Sequence, residues 1–369
     1  MTNTLLNQYA LLLTHYCLAV QPGHRVLIRT THLAEPLLRE LQKTILAAGG
    51  FPEFQIGFDG QAKGFYEMAS DDQLGQLSTL DRLRADSFDA LVSIDAPFSV
   101  GELKSIPGER LAQRQKAYQP IKQKMLQREA AGELNWVICN YPTPASAEKA
   151  EMSFEDYEKF VYNACFLYEE DAVASWHALG AQQQKVTDHL NTCSDFVYKG
   201  PQIDVRFSTE NRKWINSNGR RNMPSGEVFT SPVEDSVEGE VFFTYPIYYL
   251  DQEIGGVKFE IEKGEIVHAK ADVGNDLLQA LLETSGARRF GEVAIGNNHR
   301  INQFTKSILF DEKIGGTIHM AIGASYPETG GVNQSSVHLD LIADMRRDAT
   351  ITADQKVIYE NGQFIPELR

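Results

Sequence analysis

A strand–helix–strand succession near the start of the chain constrains its fold more than any other feature. Residues 23–31 (GHRVLIRTT) and residues 51–58 (FPEFQIGF) are each typical of a short buried strand. Residues 34–50 (AEPLLRELQKTILAAGG) carry apolar side chains at helical spacing, and the closing Gly-Gly pair marks the end of a helix. Strands joined through a helix lie parallel, so these residues predict a βαβ unit.

The same alternation continues through the first half of the chain. Residues 88–97 (FDALVSIDAP) and residues 134–142 (LNWVICNYP) are apolar runs that each end in a turn containing Pro, and they predict two more strands. Residues 109–133 between them are charged and helical in pattern, with a break predicted at Pro120. We therefore expect an α/β domain with a mainly parallel sheet at residues 1–195.

Beyond about residue 195 the pattern becomes β-rich, with Gly and Asn turns between short strands. Residues 259–271 (FEIEKGEIVHAKA) predict a hairpin that turns at Lys263-Gly264. Residues 274–286 (GNDLLQALLETSG) are the one clear helix of this half. The fold class expected for residues 196–369 is a β-rich α+β domain, and a chain of 369 residues is long enough for two domains.

The charge balance limits the partners of the protein. There are 35 basic and 50 acidic residues, which gives a net charge of −15 that is spread along the chain. Nucleic acids and anionic membranes both favour a basic patch, so neither is expected as a partner. A cationic ligand or a metal ion is compatible with this balance, although solubility alone also accounts for it.

The cellular location expected from the sequence is the cytoplasm. No Lys or Arg precedes Arg25, and the apolar residues between Leu5 and Tyr16 recur as a helical stripe, which predicts a docked helix instead of a secretion signal. No apolar run reaches the length of a membrane span. The four cysteines are dispersed without a CxxC motif, which favours reduced, buried thiols.

The segment SSVHLDLIADMR (335–346) presents two metal-type ligands together. Side chains alternate along a strand, so His338 and Asp340 share one face while Val337, Leu339 and Leu341 share the other. The chain has no HExxH motif, P-loop or GxGxxG motif, so a metal site would have to be assembled from dispersed strands and loops.

Further oxygen and nitrogen ligands lie beside Gly-rich turns in residues 222–232, 288–298 and 308–331. Each segment alone is weak, because a glutamate in a turn is usually solvated and a histidine on a strand usually belongs to the core. Together they supply carboxylates and imidazoles suited to one or two divalent ions such as Zn²⁺, Co²⁺ or Mn²⁺.

Several motifs in the right order resemble one known family. These are YPTPASAEKAEMSFEDYEKFVYNACF in the first half, and PSGEVFTSP, GEVAIG and HMAIGASYPETGG followed by HLD in the second. They resemble the thermophilic-type metalloaminopeptidases, the family of aminopeptidase T and aminopeptidase S. The resemblance implies a site for two divalent metal ions, with ligands at Glu227, Glu292, Glu312, His319, His338 and Asp340.

Two departures from the family pattern affect this assignment. The spacing from Glu312 to His319 is longer than in relatives, so Asp311 competes with Glu312 as the ligand. The segment between His319 and His338 is shorter than in many relatives, which affects the expected substrate range more than the reaction.

The resemblance also implies catalytic roles. Glu292 would bridge the two ions, and Tyr326 would donate a hydrogen bond to the oxyanion, with packing beside Pro327 as its alternative role. His299 is a further candidate, although its NNHRIN setting favours a surface loop.

The implied function is an aminopeptidase that removes N-terminal residues from short, unblocked peptides. The family also implies a homodimer with an enclosed active-site cavity. The alternatives are a metal-dependent amidase or esterase that acts on another small substrate, and a noncatalytic α/β binding protein.

Overall fold

The computed structural model describes residues 2–249 and 252–369. Its α-helices are α1 (Thr2–Leu11), α2 (Glu35–Ala47), α3 (Gln61–Met68), α4 (Asp71–Gly75), α5 (Thr79–Ser87), α6 (Gly108–Ala130), α7 (Pro144–Lys149), α8 (Phe154–Ala164), α9 (Ala172–Leu190), α10 (Asn275–Leu282) and α11 (Ile308–Asp311). Its strands are β1 (Arg25–Thr31), β2 (Phe51–Gly57), β3 (Ala90–Asp95), β4 (Asn135–Asn140), β5 (Asp195–Gly200), β6 (Ile203–Ser208), β7 (Ile215–Ser217), β8 (Asn222–Met223), β9 (Glu227–Thr230), β10 (Glu238–Phe243), β11 (Ile247–Tyr249), β12 (Gln252–Ile254), β13 (Val257–Glu262), β14 (Glu265–Lys270), β15 (Phe290–Gly296), β16 (Thr317–Gly323), β17 (His338–Asp344), β18 (Thr350–Ala353), β19 (Lys356–Glu360) and β20 (Gln363–Phe364).

The chain forms two compact units. The first contains the residues up to Val173 together with Arg220–Met223, and the second contains Ala174–Gly219 and Pro224–Arg369. Whether residues 1–195 and 196–369 are also separable domains, as the sequence suggests, stays a prediction that limited proteolysis can check.

The first unit is built on a parallel sheet with strand order β2-β1-β3-β4-β8. All its strand pairs are parallel, which confirms the βαβ prediction for β1, α2 and β2. The side chains of Leu6, Tyr9, Leu12 and Leu13 are buried, as expected for a docked first helix. The fold class predicted for this half is therefore confirmed.

The helix α6 corrects one expectation, because it runs from Gly108 to Ala130 through Pro120 without a break. Proline has no N–H to donate to the carbonyl four residues earlier, which is that of Lys116. Both Lys116 and Pro120 are exposed, so water can satisfy that carbonyl. The helix therefore tolerates a residue that usually ends one.

The second unit combines antiparallel sheets with α10, α11 and most of α9. One has the order β14-β13-β10-β6-β5-β18-β19-β20, another has the order β17-β16-β15-β9-β7, and β11 pairs with β12. Apolar residues of the two larger sheets form one buried cluster, in which Phe259 of the first packs edge-on against Phe290 of the second. The β-rich α+β prediction is confirmed by this arrangement.

The predicted hairpin between β13 and β14 is confirmed as well. Lys263 and Gly264 take φ values of +48° and +75°, between the paired residues Glu262 and Glu265. Positive φ at both central positions is the signature of the two-residue turn that matches strand twist.

None of the helices among the described residues combines the length and the apolar character needed to cross a bilayer.

Candidate metal centre

One face of the sheet β17-β16-β15-β9-β7 carries five of the six ligands that the sequence predicts. Along β17, Leu339 and Leu341 join the apolar core, so the alternation turns His338 and Asp340 to the opposite face. The same alternation applies to His319 on β16, Glu292 on β15 and Glu227 on β9, whose neighbours in the strands are core residues. The sheet thus collects residues that lie far apart in the chain.

A register shift at Gly291 sets the direction of Glu292. Phe290 and Glu292 are two residues apart and would share a face in a regular strand, yet Phe290 lies in the core. The pairing with β16 shifts between these two residues, which reverses the alternation at this point. A Cβ at Gly291 would lie 2.1 Å from the carbonyl oxygen of Ala324, so only glycine fits here.

Small residues form the floor beneath the ligands. Ala321 pairs with Glu292 on one side and with Asp340 on the other, and Ala294 pairs with His319. Because a methyl group occupies little of the space above the sheet, the longer acidic and imidazole side chains can converge over these positions.

Glu292 lies between the two imidazoles. Its Oε1 is 3.4 Å from Nε2 of His319, and its Oε2 is 3.3 Å from Nε2 of His338. On the outer side, Oδ1 of Asp340 lies 3.6 Å from Nε2 of His338, and Oε2 of Glu227 lies 3.4 Å from Nε2 of His319. One carboxylate therefore reaches both halves of the cluster with separate oxygens.

The orientation of His338 is fixed by its second ring nitrogen. Nδ1 donates to the carbonyl oxygen of Ala324 at 2.8 Å, which directs Nε2 toward the cluster. The hydroxyl oxygen of Tyr326 lies 3.3 Å from that nitrogen. Tyr326 is 39% exposed and its ring packs against Phe229, so this hydroxyl lies at the rim of the centre.

A buried lysine completes the cluster, and the sequence reasoning missed it. Lys313 is completely buried, and its Nζ contacts the carboxylate of Glu312 and lies 3.6 Å from Oε1 of Glu227. In the sequence, Lys313 is marked only by its position next to Glu312 in the DEK segment. A lysine in such a charged segment is usually solvated, so its burial was not expected.

The pKa values follow from burial opposed by neighbouring charges. Burial raises the pKa of Glu292, but hydrogen bonds from His319 and His338 outweigh it and lower the pKa to about 2. Burial lowers the pKa of both histidines, but the carboxylates outweigh it, and the values rise to about 9 for His319 and about 10 for His338. Burial also opposes the charged form of Lys313, yet Glu227 and Glu312 raise its pKa.

Two overlapping sets of side chains can each surround a metal ion. Glu292, His338 and Asp340 form the first set, and Glu312, His319 and Asp340 form the second, with the ligand atoms of each set within 4.8 Å of one another. Ligand atoms about 2.1 Å from one ion lie about 3–4 Å apart, so small rotations bring each set into range. Asp340 belongs to both sets.

The chemistry of the cluster fits divalent metal ions. Three buried atoms of this cluster, Oε2 of Glu227, Nδ1 of His319 and Oδ1 of Asp340, have no hydrogen-bond partner among the described residues. Burial raises the pKa of Glu227 and of Asp340, and the neighbouring carboxylates add to this. Buried carboxylate oxygens that lack a hydrogen-bond partner are what a hard or borderline cation satisfies.

The two weaker candidates lie outside both sets. Asp311 is buried, but its carboxylate accepts hydrogen bonds from the backbone N–H and the hydroxyl of Thr305 at 2.7 and 2.8 Å. Glu312 belongs to the second set, so the geometry favours it over Asp311. His299 is exposed and lies beside Gly315, in the surface setting that its sequence context favours.

Known proteins resemble this chain along nearly its whole length. The sequence model of the thermophilic metalloprotease family, M29, matches residues 2–364. Aminopeptidase 2 of Geobacillus stearothermophilus is 28% identical over 98% of this chain and 98% of its own length. Aminopeptidase T of Thermus thermophilus is 26% identical over 72% of each chain.

The fold of this chain is also found in a solved structure. Wild-type AmpT from Thermus thermophilus matches 99% of this chain and 100% of its own, with a TM-score of 0.87 and 22% sequence identity.

Proposed function

The chain belongs to the thermophilic metalloprotease family M29, and from this premise we propose that it is a metal-dependent aminopeptidase that releases N-terminal residues from short, unblocked peptides. The observation that carries the proposal is the pair of ligand sets that share Asp340 on one face of the sheet. The names of the relatives support peptide bonds as the substrate.

We propose that each set holds one divalent ion, which is Zn²⁺, Co²⁺ or Mn²⁺. Glu292, His338 and Asp340 would hold the first, and Glu312, His319 and Asp340 the second, with Glu227 beside His319. When bound, such ions lower the pKa of water and polarise the scissile carbonyl. The mixture of imidazole and carboxylate donors suits these borderline ions.

The protein residues orient the reacting groups. Glu292 directs one oxygen toward each of the two imidazoles, so it would contribute to both metal positions together with Asp340, which belongs to both ligand sets. With Nε2 of His338 as a metal ligand, the hydroxyl of Tyr326 would be available to donate to the oxygen of the peptide carbonyl. Its position at the rim supports this role, because an exposed side chain beside the ligands can be reached by a substrate from solvent.

The carboxylate-rich centre favours a free α-amine. At neutral pH this amine is a cation, and when deprotonated it is a nitrogen ligand for a metal ion. An acetylated N-terminus offers neither property. The expected specificity is therefore for peptides whose first residue is unblocked.

A comparison of free and blocked peptides tests the proposed activity. Protein loaded with Zn²⁺, Co²⁺ or Mn²⁺ should remove residues one at a time from the N-terminus of a short peptide and leave the N-acetylated copy nearly intact. Equal hydrolysis of both copies would favour the amidase or esterase alternative, and cleavage within a long chain would favour an endopeptidase. Absence of hydrolysis with metal bound would favour a binding protein.

We further propose that the protein is a cytoplasmic homodimer with an enclosed active-site cavity that admits short peptides. Several apolar side chains of residues 51–68 are exposed: Phe51, Phe54, Ile56, Phe58, Phe65 and Met68. They lie on the edge strand β2 and the segment after it, a surface that a second copy of the chain would cover. Light scattering coupled to size-exclusion chromatography measures this directly.

A further inference from the structure

Lys313 is a built-in cation within the cluster of acidic ligands. Its side chain is fully buried, in contact with the carboxylate of Glu312 and 3.6 Å from Oε1 of Glu227. Both partners lie on the side of the centre that contains His319, since Glu227 is 3.4 Å from Nε2 of that residue. The ammonium therefore belongs to one half of the centre.

The two ligand sets differ in whether one of their own carboxylates is paired with this ammonium. Glu312 belongs to the set with His319, whereas the other set consists of Glu292, His338 and the shared Asp340. The Glu312 carboxylate, which a metal ion would need in the set with His319, is already paired with Lys313. The carboxylate of Glu292 instead faces the two imidazoles.

The backbone holds Lys313 at this position. Its N–H donates to the carbonyl of Phe310 at 3.0 Å, and its own carbonyl accepts from the N–H of Asn298 at 3.1 Å. A metal ion that binds Glu312 must therefore displace the ammonium of a side chain whose backbone is anchored on both sides.

The charges of the centre also predict weaker binding of a second ion. The carboxylates of Glu227, Glu292, Glu312 and Asp340 carry four negative charges, of which Lys313 compensates one. With both imidazoles neutral, as metal ligands must be, a first divalent ion leaves a single uncompensated negative charge for the second. Without the ammonium, the second ion would meet twice that charge and an unpaired Glu312.

We propose that Lys313 makes the two metal positions unequal, so that the position of Glu292, His338 and Asp340 fills first and that of Glu312, His319 and Asp340 binds its ion weakly and exchangeably. This inference rests on the proposed metal centre and extends it from the presence of two positions to their order of filling. The ammonium acts as a competitor for the second ion.

Calorimetric titration of the metal-free, full-length protein with Zn²⁺ tests the order of filling. The wild-type protein should bind one ion tightly and a second at least tenfold more weakly. In Lys313→Met the second ion should bind at least tenfold more tightly than in the wild type, while affinity for the first changes by less than about threefold. Lys313→Arg keeps the charge and should keep the weak second step.

Two further variants control for folding and for surface charge. Lys356→Met removes an exposed lysine of the same unit and should leave both steps unchanged. Glu312→Gln, which retains Lys313, should abolish the second step and keep the first, so the assignment can be tested even where Lys313→Met does not fold.

The outcomes separate this inference from the proposed function. Two equal steps in the wild type, or an unchanged second step in folded Lys313→Met, would overturn the role of Lys313 and leave the metal centre intact. Failure of the wild-type protein to bind any Zn²⁺ would overturn the metal centre and this inference together.

Discussion

Tyr326 is the residue whose hydroxyl can be tested apart from metal binding. Replacement with phenylalanine removes the group that contacts His338 and keeps the ring that packs against Phe229. We expect Tyr326→Phe to lower kcat by about 10²-fold or more, because it removes an oxyanion donor, with metal content retained. Tyr248→Phe removes an exposed hydroxyl of the same unit and serves as the control. Unchanged turnover in Tyr326→Phe would show that the hydroxyl takes no part in the reaction and that Tyr326 serves only in packing.

His338 and Asp340 should act on metal binding instead. His338→Ala removes a neutral nitrogen donor and Asp340→Ala removes an anionic oxygen donor, so each should lower metal affinity at least tenfold. Metal content after dialysis measures this loss. The exposed imidazole of His268 lies on β14, and His268→Ala should have no effect. Full retention of metal by both site variants would remove these residues from the ligand set.

The alternation of side chains made these two residues predictable. Leu339 and Leu341 are buried, so the face shared by His338 and Asp340 follows from a period of two along the strand. Lys313 was not predictable in this way, because its burial depends on carboxylates from a strand and a loop that the sequence alone does not bring together. Their roles as ligands stay predictions.

At the scale of single elements, the register shift in β15 is the feature on which the site depends most. Gly291→Ala would place a methyl group 2.1 Å from the carbonyl oxygen of Ala324, and the strand must shift to relieve the overlap. We expect a loss of about 1–3 kcal/mol in the free energy of unfolding, together with weaker metal binding because Glu292 is displaced.

Gly108→Ala is a matched control, since a Cβ at Gly108 has no neighbour within 4 Å. Calorimetric metal titration and chemical denaturation follow the two effects. A Gly291→Ala protein with wild-type stability and metal affinity would contradict the importance assigned to the register shift.

The start of α5 gives a pH-dependent prediction in the other unit. Asp81 accepts hydrogen bonds from the backbone N–H and the hydroxyl of Ser78, and it lies 3.4 Å from Arg114. Burial raises the pKa of Asp81, but hydrogen bonds from Tyr118 and Ser78 outweigh it and lower the pKa. The stabilisation is thus present above the unfolded pKa and is lost as the pH falls through the folded pKa.

Asp81→Asn should therefore cost about 1–2 kcal/mol of unfolding free energy at pH 7. The difference from the wild type should shrink as the pH falls below about 4, near the pKa of an unfolded aspartate. Urea denaturation at pH 7 and pH 3 measures both values, and the exposed Asp59→Asn is the control. A difference that does not depend on pH would exclude an ionic contribution from Asp81.

Local patterns predicted the main strands of the first unit and one hairpin of the second, and they failed where solvent or a single contact decides the outcome. The strands β1 to β4 and the hairpin at Lys263-Gly264 follow from apolar runs and turn residues. Pro120 lies inside α6, at an exposed position where water can bond to the carbonyl of Lys116. Helix propensities do not take this access to water into account. The shift at Gly291 depends on the approach of Ala324, which is 33 residues away and invisible to a local pattern.

At the scale of the whole molecule, the site was predictable because several motifs resemble one family and not because any single segment is diagnostic. The ligand candidates extend from Glu227 to Asp340, and the sheet brings them together through long-range pairing. The resemblance gave their identities, and the structure gives their distances. The inequality that Lys313 introduces depends on packing in this particular chain.

The central claim, a peptide hydrolase that depends on the clustered metal ligands, is tested most directly by removal and return of metal. Purified protein should contain up to two divalent ions per chain and should hydrolyse a short unblocked peptide. Treatment with a chelator should abolish hydrolysis, and addition of Zn²⁺, Co²⁺ or Mn²⁺ should restore it, since metal ions supply the activation of water. Full activity in protein shown by elemental analysis to be free of metal would contradict the account.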